Sequence, residues 1–222
     1  MKCESVNVSP ASGGRQGKRH GREMSAIRPL TENPAGFRLA VVVEGALGLV
    51  AVGLAGLFGV PLREQFALTS RGFVEGTLIG VVATLPMLAI FWWMVSAKWQ
   101  PFVELHAQVT QMVRELFPRA SLVELAIIAV LAGVSEELLF RGVLQTLVAG
   151  WTTPLISLAV ASLVFGALHA VSRLYFVLAT LIGGYLGWLL LECDDLTAPM
   201  VAHGLYDFIA LAYLTRNQES DR

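Results

Sequence analysis

Ser135-Glu136-Glu137-Leu138-Leu139-Phe140-Arg141-Gly142 decides how this chain is read, because it sets three ionisable side chains inside an apolar segment running from about Leu122 to Ala149. A charge at the centre of a bilayer costs about 2.5 to 3.5 kcal/mol or more unless it faces a polar interior and finds a partner. Charges kept in such a place call for a function. Around this stretch, 222 residues with 55% hydrophobic and only 15% charged composition are far more apolar than a typical soluble domain. The apolar blocks also follow one another too closely for separate soluble cores. The expected solvent is lipid and the expected unit a single membrane domain. A net charge of −1 gives no signal for nucleic acid, and Cys3 and Cys193 form neither a disulfide framework nor a Cys-x-x-Cys pair.

Six apolar blocks are long enough to be read as spans: Leu39 to Val60, Phe73 to Val95 with a kink expected at Pro86, Leu122 to Ala149, Leu155 to Val171, Leu174 to Leu191, and Leu196 to Leu214. Small residues at four-residue spacing in the first, among them Gly48, Val52 and Gly56, invite close helix packing. Glu44 reads as a snorkelling or interfacial carboxylate near the end of that span. Trp92, Trp93, Lys98 and Trp99 mark a membrane–water interface. Between spans two and three, Phe102, Leu105, Val109, Met112, Val113 and Leu116 recur at helical spacing against Glu104, Gln108, Gln111 and Glu115. That pattern predicts an amphipathic helix over Phe102 to Phe117, lying along the surface and ended by Pro118. The fold class is therefore all-α: a polytopic transmembrane helix bundle of about six spans plus one amphipathic interfacial helix.

Residues 1–36, rich in Gly, Ser, Pro and Arg, predict a disordered basic tail without a removable signal peptide, and Met24 offers an alternative start. Residues 37–120 hold two spans and the surface helix, 121–215 the remaining spans, and 216–222 a short polar tail. Of the sixteen Lys and Arg residues, all but Arg63, Arg71 and Arg141 fall on one side of the expected membrane. The positive-inside tendency then predicts a multi-pass protein of the cell membrane with both termini cytoplasmic.

On a helix, Glu137 and Arg141 lie one above the other with the acid on the N-terminal side, the favourable order for an ion pair. Glu136 is rotated by roughly 100° and has no local cation. It is the carboxylate left free to act as a general base on water. His169 lies toward the end of the fourth apolar block, and the sixth carries His203 and Asp207 on one face. A histidine with a carboxylate four residues on is either an oriented imidazole or one of two metal ligands. Together, Glu136, His169, His203 and Asp207 from three helices suit a hydrolytic site, in which histidine holds water, stabilises an oxyanion or binds zinc. Such a site requires Glu136, His169 and His203 to converge within about 10 Å of one point. The same groups in a transporter would form a proton or ion relay, but no internal repeat accompanies them.

Glu-Glu-x-x-x-Arg (Glu136, Glu137, Arg141), Phe-x-x-x-His (Phe165, His169) and His-x-x-x-Asp (His203, Asp207), with Phe140-Arg141-Gly142 and Ala198-Pro199-Met200 beside them, resemble the motifs of the CPBP intramembrane endopeptidases. That family includes type II CAAX prenyl proteases and bacterial Abi proteins. The resemblance covers roughly Ser121 to Leu214 and makes 121–215 a CPBP-like catalytic membrane core. It implies peptide-bond hydrolysis in the membrane, with Glu136 activating water, His169 positioning it, His203 and residue 207 lining the oxyanion side, and Glu137 with Arg141 supporting the site. The family has been described both as metal-dependent and as a glutamate-type protease. The implied cofactor is thus zinc or another divalent metal held by Glu136, His169, His203 and Asp207, or none. Asp207 stands where eukaryotic CAAX enzymes commonly carry Asn; an ionised carboxylate cannot donate a hydrogen bond, which favours orienting His203 or ligating a metal. The implied partners are the lipid bilayer and a membrane-associated peptide or protein substrate, such as a bacteriocin-like peptide or a regulatory membrane protein. A non-catalytic immunity protein on the same fold is the remaining alternative.

Overall fold

The computed structural model describes residues 34–66 and 69–216, and among these there are helices and no strands. Helix α1 spans Pro34–Phe58, α2 Ser70–Ser96 and α3 Gln100–Leu116. Helix α4 begins as Leu122–Glu137, widens into π-helical turns over Leu138–Gln145, and closes with one α-helical turn, Thr146–Ala149. Then follow α5 (Pro154–Leu168), α6 (Arg173–Cys193) and α7 (Thr197–Arg216). The tail read over residues 1–36 lies outside the described residues except for its last three, which already belong to α1. Residues 217–222 lie outside them too.

Local chemistry sets the helix ends. Gly59 adopts φ +68°, where a side chain would be strained, and this lets the Val60 N–H reach back to the Ala55 carbonyl at 2.8 Å and close α1. Ser121 and Glu124 form a reciprocal capping box at the start of α4: the Ser121 hydroxyl accepts from the Glu124 N–H, and the Glu124 carboxylate accepts from the Ser121 N–H. Thr153 and Ser172 cap α5 and α6 in the same manner, each side-chain oxygen accepting a backbone N–H.

Helix α7 is the centre of the bundle, packed against α2 and α4 along its length. Its approach to α4 depends on two glycines. A Cβ on Gly133 would stand 2.8 Å from the Gly204 nitrogen and 2.9 Å from the Met200 carbonyl oxygen, so any side chain there would push the helices apart. This contact lies one turn from Glu137 and beside His203, and it brings the two motifs together. A second layer packs α5 on α6, and α3 covers the bundle end through Phe102, Leu105 and Val113. The polar face of α3 carries Gln100–Glu104 and Gln111–Glu115 hydrogen bonds, as the amphipathic pattern predicts.

The helical bundle matches the expected fold class. Among the described residues, three helices, Ala35–Phe58, Arg71–Ser96 and Arg173–Cys193, are long and apolar enough to cross a membrane by length and composition. The others fall short for separate reasons. Helix α5 is 15 residues, roughly 22 Å against a hydrocarbon core of roughly 30 Å. Helix α4 leaves α-helical geometry at Leu138, and α7 carries the polar groups of the site. Helix α2 runs on past Pro86 as one element.

Candidate active site

The helix–helix contact at Gly133 and Gly204 delivers Glu136 and Glu137 from α4 to His203 on α7. Glu137 is fully enclosed, and its Oε1 accepts from Arg141 at 2.8 Å and from the Nδ1 of His203 at 2.8 Å. The expected ion pair is present, and the same carboxylate also sets the histidine, which the sequence reading assigned to Asp207. Arg141 gives a second N–H to the Gly183 carbonyl on α6 at 2.9 Å and lays its guanidinium 4.6 Å from the Phe165 ring centre. The π-helical turns that carry Arg141 are held from outside by Gln65, whose amide donates to the Gly142 carbonyl at 3.0 Å. Neither the π turns nor Gln65 could be read from periodicity, although π-helical turns recur at functional sites.

Helix α5 stops at Leu168, and His169 is its C-terminal cap, with Nδ1 at 2.8 Å from the Phe165 carbonyl. A carbonyl only accepts, so Nδ1 carries the hydrogen. The ring stacks on Phe165 with centres 4.3 Å apart. By the same reasoning, the Nδ1 hydrogen of His203 goes to the carboxylate of Glu137. Both imidazoles turn their other nitrogen, Nε2, to Glu136 Oε2, at 3.5 Å from His169 and 3.8 Å from His203. Asp207 Oδ2 lies 3.3 Å from the same nitrogen of His203. Glu136 Oε2 is buried without a hydrogen-bond partner among the described residues. Glu136 Oε2, Asp207 Oδ2 and the two Nε2 atoms converge here, an arrangement that can hold a small polar molecule such as water.

Side-chain exposure rises across the site: 1% for Arg141, 6% for His203, 11% for Glu136 and 30% for His169. The open side leads into a cavity of about 280 Å³ between α2, α6 and α7, walled mostly by apolar side chains such as Met87, Phe91 and Ile182, with His169, His203 and Asp207 at its polar end. On the opposite side stands a carboxylate that the sequence reading set at an interface. Glu44 Oε2 accepts from the Ser135 hydroxyl at 2.6 Å, and its charge interacts with Glu136, His203 and Asp207. The helix begins at Pro34 rather than at Leu39, so Glu44 lies ten residues into α1, roughly 15 Å from its start. An acid in the body of an apolar helix was the signal for it, the same one that singled out Glu136.

The donor chemistry of Glu136, His169, His203 and Asp207 is that of a zinc site. Among the described residues, however, no three His, Cys, Asp or Glu side chains meet as a metal-binding group.

Residues 118–209 match the family model described as Rce1-like, type II CAAX prenyl endopeptidase Rce1-like, and the resemblance read from the three motifs is borne out over that segment. The chain is also similar to the uncharacterized protein YpbD of Bacillus subtilis, strain 168, with 35% identity over 99 residues. That similarity covers 43% of this chain and 48% of the relative, so the match spans about half the length of the protein it resembles. No solved structure matches the chain. All six site residues and the cavity wall from α6 and α7 fall inside the matched segment; Glu44, Gln65 and the α2 wall fall outside it.

Proposed function

We propose that the protein is an intramembrane endopeptidase that hydrolyses peptide bonds of membrane-associated peptides or proteins, with Glu136 as the general base. The observation that carries this reading is the unpartnered, buried Glu136 Oε2 facing the Nε2 atoms of two imidazoles at 3.5 and 3.8 Å. A water held by Glu136 beside the two histidines gives its proton to Glu136, and its oxygen attacks the substrate carbonyl carbon. The carbonyl π electrons move to oxygen. When the tetrahedral intermediate collapses, the C–N bond breaks and Glu136 returns the proton to the leaving nitrogen. Glu137 and Arg141 act one step back by fixing the His203 ring.

The apolar wall of the cavity suits a substrate that arrives from lipid, with apolar side chains flanking the scissile bond. In this reading the protein is a multi-pass protein of the cell membrane with cytoplasmic termini, as the basic residues imply. The four donors do not form a ligand set, so no step is routed through a metal.

The test uses the full chain in phosphatidylethanolamine–phosphatidylglycerol vesicles with a mixture of synthetic peptides, each carrying an apolar membrane-inserting segment, and mass spectrometry of the products. Cleavage by the wild type, lost at least ~10³-fold in Glu136→Gln, is the expected result. Equal cleavage by the two proteins overturns the assignment.

A further inference from the structure

The main cavity does not end at the polar cluster. Phe91, Met94, Tyr175, Tyr206 and Asp207 border it and also border a second cavity of about 210 Å³, so the two share a wall built from α2, α6 and α7. Asp207 marks the junction: its Oδ2 lies 3.3 Å from Nε2 of His203, which is itself 3.8 Å from Glu136 Oε2. The second cavity therefore begins one side chain away from the groups assigned to the reaction. From there it runs beneath α3, where Phe102, Val109 and Met112 line it.

Helix α3 is amphipathic, yet part of its apolar face covers a space instead of filling one. The lining of an apolar void loses its packing contacts, and neighbouring side chains that can turn relax into it. Here the rings around it are held. Phe102, 8% exposed, is met edge-on by Trp93 and Trp99, with ring centres 5.2 and 4.8 Å away. Phe91 meets Tyr206 and Tyr213 edge-on at 6.2 and 5.6 Å. The walls thus stay apart and leave room for a guest that restores the missing contacts. A cavity of about 150 Å³ already admits benzene, so about 210 Å³ takes one large ring. The rings of Phe91, Phe102 and Tyr206 and the sulfurs of Met94 and Met112 suit an aromatic guest better than a plain alkyl chain, through edge-to-face and sulfur–ring contacts.

We propose that the cavity beneath α3 is a specificity subsite that takes an aromatic side chain of the substrate. The occupant lies within about two residues of the scissile bond, since each residue of an extended chain spans about 3.3 to 3.6 Å and the cavity opens beside Asp207. The proposal rests on the peptidase reading above and narrows its substrate class. Helices α2 and α3 lie outside the family-matched segment 118–209, so most of this wall, and the selectivity it confers, comes from outside that segment.

The test starts from a peptide that the full chain cleaves in phosphatidylethanolamine–phosphatidylglycerol vesicles. Each position within about two residues of the scissile bond is set in turn to alanine, phenylalanine or 2-aminodecanoic acid, whose side chain is a straight alkyl chain. At one position phenylalanine should raise kcat/KM about 10- to 100-fold over alanine and should exceed the straight chain. Ala210→Phe on α7 and Val109→Phe on α3 each add a ring at a position that lines the second cavity and does not border the main one. In a variant that keeps the wild-type unfolding temperature, the phenylalanine-to-alanine ratio should fall to within about threefold of unity. A benzophenone-bearing residue at the same position, photolysed in Glu136→Gln so that the peptide stays whole, should label α3, and mass spectrometry locates the label. The subsite is overturned, with Glu136→Gln still inactive, by the lack of any position favouring phenylalanine, by a preference for the straight chain, by ratios unchanged in the filled variants, or by labelling that leaves α3 untouched. Cleavage by Glu136→Gln at the wild-type rate instead removes the peptidase reading beneath it.

Discussion

The buried polar cluster has two sides that begin one residue apart, and they are built differently. On the first, Glu137, Arg141 and the Nδ1 face of His203 are joined by hydrogen bonds of 2.8 Å, with side chains at most 6% exposed. On the second, Glu136 lies 3.5 Å from His169 Nε2 and 3.8 Å from His203 Nε2, Asp207 lies 3.3 Å from the latter, and His169, His203 and Asp207 line the cavity. Both sides hold charge in an apolar bundle. Each side leaves one carboxylate oxygen without a hydrogen-bond partner among the described residues, Glu137 Oε2 and Glu136 Oε2. What separates them is access and the bonds around that oxygen: short hydrogen bonds on the enclosed side fix geometry, and the looser groups on the other stand beside a cavity. His203 belongs to both, held by one nitrogen and working with the other.

The comparison can be broken at its strongest point first. Glu136→Gln should lower kcat/KM by at least ~10³-fold while the unfolding temperature stays put, because Glu136 Oε2 has no hydrogen bond to lose. Arg141→Met should do the reverse in emphasis. It leaves Glu137 as an uncompensated buried charge, at a cost of about 3 to 5 kcal/mol. A large fall in the unfolding temperature in detergent, with activity lost through it, is the expected signature. If Arg141→Met were as stable as wild type and Glu136→Gln unfolded early, the division into a framework side and a working side would be wrong.

A smaller effect sharpens the account of how the two sides come together. Gly133→Ala places a methyl 2.8 Å from the Gly204 backbone, which cannot turn aside as a flexible side chain could. Separating α4 from α7 should cost about 1 to 3 kcal/mol. The displacement also moves His203 away from Glu137, so kcat should fall with little change in KM. Unfolding curves and kinetics on the same preparation check both halves of this prediction.

What the chain disclosed before its structure followed from the kind of signal each residue carries. Apolar blocks, the amphipathic α3 pattern and the four-residue spacing of Glu137 and Arg141 are periodic, and periodicity survives folding; hence the helical bundle and the ion pair were legible. The π-helical turns were not, since an extra residue per turn leaves no mark in a uniformly apolar stretch. His169 was read as part of a span because the run Leu155 to Val171 is apolar throughout, whereas a histidine that bonds the Phe165 carbonyl stops the helix at Leu168. The role of Glu137 toward His203 links positions 66 apart in sequence. No local pattern reports such a pairing, and the nearer Asp207 was the natural choice in its place.

Glu44 tests where the framework side ends, and the change expected there is the smallest. Replacing it by Ala removes the acceptor of the buried Ser135 hydroxyl, which would cost about 1 to 3 kcal/mol if that hydroxyl were stranded. Ser135 lies in a helix, however, and can turn its hydroxyl to the carbonyl four residues earlier. Removing Glu44 also relieves its repulsion from Glu136 and Asp207. The two effects oppose, so Glu44→Ala should shift stability by no more than about 1 kcal/mol. Activity should stay within about tenfold of wild type, because Glu136 keeps its place between the imidazoles. A loss as deep as that of Glu136→Gln, without a fall in unfolding temperature, would move Glu44 to the working side and make α1, outside the family-matched segment, a contributor to the chemistry.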